Sequence, residues 1–114
     1  MSASLTIVGS VALDTIETSA GKKEEVLGGA ATYIAVAAQF FGPVNLVAVV
    51  GDDFPQKHID MLAAKGADLS GLKQVKGRTF RWSGKYAPDF SSRETLNTEL
   101  GVFENFDPEI PASY

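Results

Sequence analysis

Residues 26–51 contain no charged side chain, although 21% of the 114-residue chain is charged. A run of about 18 or more apolar residues can form a membrane-spanning helix, but Gly42 and Pro43 interrupt this run and end any helix there. Residues 30–41 are good helix formers with apolar groups on nearly every side, which predicts a helix that is covered all round. Residues 44–50, VNLVAVV, lack polar alternation and predict a strand of a parallel sheet buried on both faces. The run therefore predicts a helix, a turn and a buried strand, and no membrane segment.

The flanking residues extend this order of strands and helices. Residues 5–9, LTIVG, predict another short buried strand. Residues 54–66 carry apolar side chains at helical spacing and predict a second helix that ends at Gly66, with Asp53 as its N-cap. Strands that alternate with helices predict a three-layer α/β fold.

A different pattern begins near residue 77, where apolar and polar side chains alternate as they do in strands with one buried face. Residues 78–87 and 95–102 each show this alternation, and the polar loop between them predicts an antiparallel pair. The apolar face contains Phe80, Trp82, Tyr86, Leu96, Leu100 and Val102. A two-stranded ribbon is marginally stable alone. Its apolar face must therefore cover the α/β core, a ligand or a second copy of the chain.

Composition excludes several classes of function. The net charge of −4 disfavours binding to nucleic acid, which requires a basic surface. The sequence contains no cysteine, so it has no disulfide, thiolate zinc site or cysteine nucleophile, as suits a reducing compartment. The N-terminal residues lack the basic region of a secretory signal. These features predict a cytoplasmic protein with no nucleic-acid or membrane partner.

Three polar residues are candidate metal ligands, but simpler interpretations are preferred. His58 stands beside Lys57 without other metal-ligating residues, which favours a solvated surface side chain. Asp52 and Asp53 can hold a cation, but a pair of acids between a strand and a helix more often caps the helix. We therefore predict no metal site.

Gly28 and Gly29 directly precede the first predicted helix, and two interpretations are open. They can form a simple turn, or their lack of Cβ atoms can let a ligand approach the free N–H groups of the helix N-terminus. Asp14 favours the second interpretation because it follows the first predicted strand closely, and ligands of open α/β sheets bind at the carboxyl ends of strands. A carboxylate there can accept hydrogen bonds from two vicinal hydroxyls.

The order of the segments VGSVALD, GGAATYIAVAAQFFG, VAVVGDDF and GADLSGL resembles the N-terminal part of the ribokinase, or PfkB, family of sugar and nucleoside kinases. The resemblance covers essentially the whole chain but only about the first third of a typical member. It implies that residues 1–114 form part of one three-layer ribokinase-like α/β domain with a small antiparallel β-sheet lid, built from approximately residues 12–27 and 78–103.

The resemblance also implies the substrate-binding residues. The acid that matches Asp14 and the glycines that match Gly28 and Gly29 contact substrate hydroxyls in that family, and Trp82 lies where a lid side chain reaches the substrate. Tyr33 stands where the family usually has asparagine. Tyr33 can donate a hydroxyl or stack on a ring, or it can be a core residue.

The family's second signature, a glycine-rich turn with a catalytic aspartate, has no match in this sequence. We therefore predict no catalytic residue in the chain, no activity from it alone, and Mg-ATP as a cofactor of the complete enzyme that does not bind tightly here. The predicted function is the substrate-binding and lid portion of an ATP-dependent sugar or nucleoside kinase that dimerises through the lid. The alternative is a non-catalytic binding or dimerisation module; a nucleotide-binding regulatory domain ranks below both because a phosphate loop is absent.

Overall fold

The computed structural model describes residues 4–114, which form two β-sheets, two α-helices and a short 3-10 helix. In chain order the elements are β1 (Leu5–Val8), β2 (Ala12–Thr18), β3 (Gly21–Gly28), α1 (Ala30–Ala38), β4 (Val44–Gly51), α2 (Gln56–Ala64), β5 (Ala67–Val75), β6 (Arg81–Tyr86), β7 (Arg93–Glu99) and the 3-10 helix (Gly101–Asn105). The predicted α/β fold is confirmed.

The first sheet is parallel, with the strand order β1-β4-β5. Every residue of the central strand β4 is buried, which confirms the prediction from its β-branched sequence. Leu46 and Val50 of this strand are fully buried, and they belong to the same core as Leu13 of β2 and Leu62 of α2. The third strand, β5, was not predicted, because most of its side chains are exposed or half-buried and do not show the pattern of a buried strand.

The second sheet has four strands in the order β3-β2-β6-β7. The predicted antiparallel pair is confirmed as β6 and β7, but β6 also runs parallel to β2, so the sheet is mixed. A register shift follows Ser83, and Leu96 lines a groove with Thr15 on the face opposite Trp82. The prediction of a single apolar face is therefore wrong at Leu96, because the irregular register places this side chain on the face opposite Trp82.

Helix α1 packs on one side only, through Ala31, Thr32 and Ala35. The prediction of a helix covered all round is wrong, because among residues 4–114 only β1, β3 and β4 pack extensively against it. The helix ends at Ala38, and Phe41 in the following turn is 92% exposed. No helix in the described part of the chain is long and apolar enough to cross a membrane.

Helix α2 ends before Gly66 as predicted, but the residue at its N-cap and the burial of His58 differ from the predictions. Pro55 occupies the N-cap position and no side chain caps the helix, since the Asp53 carboxylate bonds to Thr79 and Arg81 instead. His58 is half-buried against Phe54, with ring centroids 5.6 Å apart, so its interpretation as a solvated side chain is also wrong.

Candidate functional site

A cavity of about 610 Å³ lies between the N-terminus of α1 and one face of the four-stranded sheet. Its volume is within the range of about 300–1,000 Å³ that is usual for small-molecule sites. The lining residues come from the loop after β1, from β2, from α1 and from the β6–β7 pair. They are Ser10, Ala12, Asp14, Ile16, Gly29, Ala30, Tyr33, Phe80, Trp82, Tyr86 and Arg93.

Asp14 supplies the negative charge of this cavity. Its side chain lies on β2 and the residue is only 8% exposed. Burial raises the pKa of the Asp14 carboxyl above its ordinary value, and no hydrogen bond within residues 4–114 opposes this effect. Partial loss of hydration disfavours the charged form of a carboxylate that has no hydrogen-bond donors. Hydroxyl donors of a ligand in the cavity would replace that hydration.

Gly28 makes room for the Asp14 carboxylate. It ends β3 opposite Ala12 of β2, and a Cβ atom at this position would overlap the carboxylate oxygens of Asp14. Gly28 does not line the cavity itself. Gly28 thus lies directly behind Asp14, and its predicted contact with a substrate stays a prediction.

Gly29 is required by the backbone at the start of α1. Its φ of 92° lies in the region that favours glycine, and a Cβ atom would meet the Ser10 carbonyl. The Ser10 Oγ accepts a hydrogen bond of 3.0 Å from the Ala30 N–H, and its carbonyl accepts one of 2.9 Å from the Ala31 N–H. The expectation of free N–H groups at this helix N-terminus is therefore wrong for these two residues, because Ser10 caps them.

Aromatic side chains form much of the remaining wall. The Trp82 ring lies over Gly84, where a Cβ would overlap it, and its Nε1 donates to Thr95 Oγ1 at 3.3 Å. Tyr33 is 58% exposed at the cavity, so the alternative of a core tyrosine is wrong. Partial burial and the negative charge of Asp14 raise the pKa of the Tyr33 hydroxyl, which keeps it protonated as a donor.

Arg93 supplies the positive charge of the cavity, and the sequence interpretation missed it. It begins β7 opposite Tyr86, and its Cζ lies 5.5 Å from the centroid of the Trp82 ring. Residue 93 falls within the polar loop predicted between residues 87 and 95. The alternation of Arg93 with Thr95 was the available signal, but the two preceding serines are typical of a turn.

The structure thus brings four of the five predicted binding residues, Asp14, Gly29, Tyr33 and Trp82, to one cavity, with Gly28 directly behind Asp14. Asp14 and Trp82 are far apart in sequence, and the parallel pairing of β2 with β6 places them side by side.

Asp53 connects the two sheets near this cavity. Its Oδ1 accepts hydrogen bonds from the Thr79 N–H and Oγ1 at 2.9 and 2.7 Å, and its Oδ2 accepts one from Arg81 Nη1 at 2.7 Å. Arg81 also donates to Glu25 of β3. The predicted capping role of Asp52 is wrong as well, since its carboxylate accepts from the Gly77 N–H. Within residues 4–114, no three His, Cys, Asp or Glu side chains are grouped to hold a metal ion.

No family model matches this sequence. A cytidine kinase from Thermococcus kodakarensis is 32% identical over 108 residues, which cover 94% of this chain and 37% of that protein. The chain therefore spans little more than a third of the length of this curated relative.

Solved structures show the same fold. The ribokinase of Cryptococcus neoformans var. grubii serotype A, in complex with ADP, matches 90% of this chain and 35% of its own at 25% identity, with a TM-score of 0.77. The nucleoside kinase of Burkholderia thailandensis, in complex with inosine, matches 88% of this chain and 36% of its own at 21% identity, with a TM-score of 0.74. The chain therefore has the ribokinase-like fold and is similar to a fragment of ribokinase-family kinases.

Proposed function

We propose that this chain forms the acceptor-binding site of a ribokinase-family kinase, and that the acceptor is a nucleoside. The observation that carries this proposal is the buried Asp14 carboxylate, which has no hydrogen-bond donor among residues 4–114 and lines a ligand-sized cavity. Two vicinal hydroxyls of a ribose can donate to its two oxygens. Such charge-assisted hydrogen bonds are stronger than neutral ones.

The aromatic wall favours a nucleoside over a simple sugar. Tyr33 and Tyr86 offer aromatic rings on which a planar base can stack, and Trp82 adds a third ring to the wall, whereas a sugar needs fewer such surfaces. The curated relative is named a cytidine kinase, and the Burkholderia protein is a nucleoside kinase in complex with inosine. These names support the same class of acceptor for this chain.

We propose that the four-stranded sheet acts as the lid over this acceptor. Its inner face carries Trp82 and Tyr86 on β6 and Asp14 on β2, opposite the N-terminus of α1. A ligand held between the two parts would be contacted from both sides. Excluding water there strengthens the hydrogen bonds to Asp14.

The residues described here do not fit Mg-ATP. Phosphoryl transfer requires backbone donors around the phosphates, and the glycine-rich turn that supplies them in this family has no match in the sequence. The N–H groups of Ala30 and Ala31 already bond to Ser10. We therefore propose that the chain binds and orients the acceptor, and we derive no transfer step through ATP.

The hydroxyl contact can be tested with the fluorescence of Trp82, which is the single tryptophan of the chain. Cytidine and 2′,3′-dideoxycytidine are titrated against the native chain and Asp14→Asn. We expect the native chain to bind cytidine roughly tenfold more tightly than the dideoxy compound. In Asp14→Asn this preference should largely disappear. Equal binding of both compounds to the native chain would remove Asp14 from acceptor recognition.

A further inference from the structure

We infer that Arg93 selects the base of the bound nucleoside, favouring bases that present two adjacent hydrogen-bond acceptors. This inference rests on the proposal that the cavity binds a nucleoside. It concerns the end of the cavity wall formed by β6 and β7, whereas Asp14 and the hydroxyl contact belong to β2.

The first observation is that Arg93 has no carboxylate partner within residues 4–114. The other two arginines of the chain are ion-paired there, Arg78 with Glu99 and Arg81 with both Glu25 and Asp53. Arg93 instead contacts the face of the Trp82 ring and lines the cavity. Its guanidinium donors are therefore available to a ligand.

The second observation is that the neighbours of Arg93 hold it beside a stacking surface. Strand pairing places it opposite Tyr86, and its Cζ is 5.5 Å from the Trp82 ring centroid. The hydrogen bond from Trp82 Nε1 to Thr95 fixes that ring on the same strand pair. A base that stacks on Tyr86, the residue paired with Arg93, has its edge within reach of the guanidinium.

The chemistry of the guanidinium then decides which bases fit. Its planar fork of N–H donors pairs with two adjacent acceptors. Cytosine presents O2 and N3, and hypoxanthine presents O6 and N7, as guanine does in its usual pairing with arginine. Uracil places an N–H donor between its two carbonyls, and adenine places an amino group beside both N1 and N7. Uridine and adenosine therefore lack a matching edge.

A carboxylate, as in a sugar acid, also offers two adjacent acceptors to arginine. The aromatic residues Trp82 and Tyr86 beside Arg93 favour the base, since a sugar acid has no planar ring to stack on them. Gluconate is therefore included in the test as the competing source of the same contact.

The experiment measures quenching of Trp82 fluorescence in the full 114-residue chain on titration with cytidine, inosine, uridine, adenosine, ribose and gluconate. The variant Arg93→Lys keeps the charge and removes the fork, and Lys85→Arg, on the same strand pair but not lining the cavity, is the matched control. We expect cytidine and inosine to bind the native chain about tenfold more tightly than uridine and adenosine. Arg93→Lys should remove this preference and leave binding of uridine and ribose unchanged, and Lys85→Arg should behave as the native chain does.

The other outcomes overturn the inference in distinguishable ways. Equal binding of all four nucleosides to the native chain would refute base selection by Arg93 and leave the nucleoside site intact. Binding of gluconate tighter than that of cytidine, lost in Arg93→Lys, would reassign the guanidinium to a sugar-acid carboxylate. Absence of binding by every nucleoside and by ribose would refute the proposed function together with the inference.

Discussion

Gly28 and Asp14 lie on neighbouring strands so closely that a Cβ atom on Gly28 would occupy the space of the Asp14 carboxylate. The absence of a side chain on Gly28 thus leaves space for the Asp14 carboxylate, although Gly28 does not line the cavity. This relationship makes the two residues a single unit, since the position of the buried charge depends on a missing side chain on the adjacent strand.

We predict that Gly28→Ala displaces Asp14 and impairs both stability and binding. Overpacking of a close contact typically costs about 1–3 kcal/mol of unfolding free energy. Urea unfolding measures the stability and cytidine titration measures the binding. Gly9→Ala is the matched control, because its added Cβ would meet Ala31 at an ordinary 3.4 Å. If the two variants behave alike, the close approach of Gly28 to Asp14 has no energetic consequence.

We predict that Asp14→Asn stabilises the folded chain at neutral pH. Burial raises the pKa of Asp14 in the folded chain above the ordinary 3.8. Protonated Asp14 therefore makes its whole contribution to stability below pH 3.8, and this contribution is lost as the pH rises through the folded pKa. Asparagine carries no charge, so the variant should gain about 1 kcal/mol near pH 7. The gain should vanish in acid.

Denaturant unfolding at several pH values measures this effect, and the exposed Asp107→Asn serves as its control. A loss of stability at neutral pH would mean that the Asp14 carboxylate has a stabilising donor in the folded chain. That result would contradict the proposal that the Asp14 carboxylate lacks hydrogen-bond donors until a ligand binds.

The opposite pH dependence is expected for Asp53. Partial burial by itself raises the pKa of Asp53, but hydrogen bonds from Thr79 and Arg81 outweigh it and hold the pKa below 3.8. The stabilising contribution of ionised Asp53 to the folded chain is therefore present above pH 3.8 and is lost as the pH falls through the folded pKa. Asp53→Asn should cost about 1–2 kcal/mol near pH 7 and much less near pH 2.

Glu99→Gln is the control for Asp53, because it removes the exposed ion pair with Arg78. Exposed pairs contribute little to stability, so we expect a much smaller effect on the free energy of unfolding. Equal losses in the two variants would show that the Asp53 contacts do not hold the sheets together.

We predict that the 114-residue chain alone does not phosphorylate nucleosides or sugars. The family's glycine-rich turn with a catalytic aspartate has no match in this sequence, and a net charge of −4 disfavours ATP. Calorimetric titration with Mg-ATP and incubation with a panel of nucleosides and sugars test this, with the Thermococcus cytidine kinase as positive control. Turnover above a blank without protein, or saturable micromolar binding of ATP, would contradict the prediction and direct attention to Asp52 and Asp53.

We propose that two copies of the chain associate through the four-stranded sheet. The face that carries Trp82 lines the cavity, so we assign the contact to the opposite face, where Leu96 is 53% exposed. Sedimentation at micromolar concentration should show a dimer, and Leu96→Lys should give a monomer. Ile110→Lys, on an exposed residue outside the sheet, should leave the dimer intact. A monomeric native chain would refute this proposal.

Local sequence patterns determined the elements with strong periodicity. The β-branched run at residues 44–50 predicted the buried β4, and the helix before it ends ahead of Gly42 and Pro43. These predictions succeed because hydrophobic periodicity and the conformational limits of glycine and proline act over a few residues.

Only the tertiary structure decided which polar groups meet. Asp53 was expected to cap the next helix, but Thr79 and Arg81 take its carboxylate. Tyr114, in the tail that follows the 3-10 helix, accepts from the Gly71 N–H at 2.8 Å, with its hydroxyl 2.8 Å from the Leu46 carbonyl. A polar side chain can bond to many donors and acceptors, and local sequence does not rank them. The choice depends on which distant segments the strand register brings together, as it does for Arg93 and Trp82.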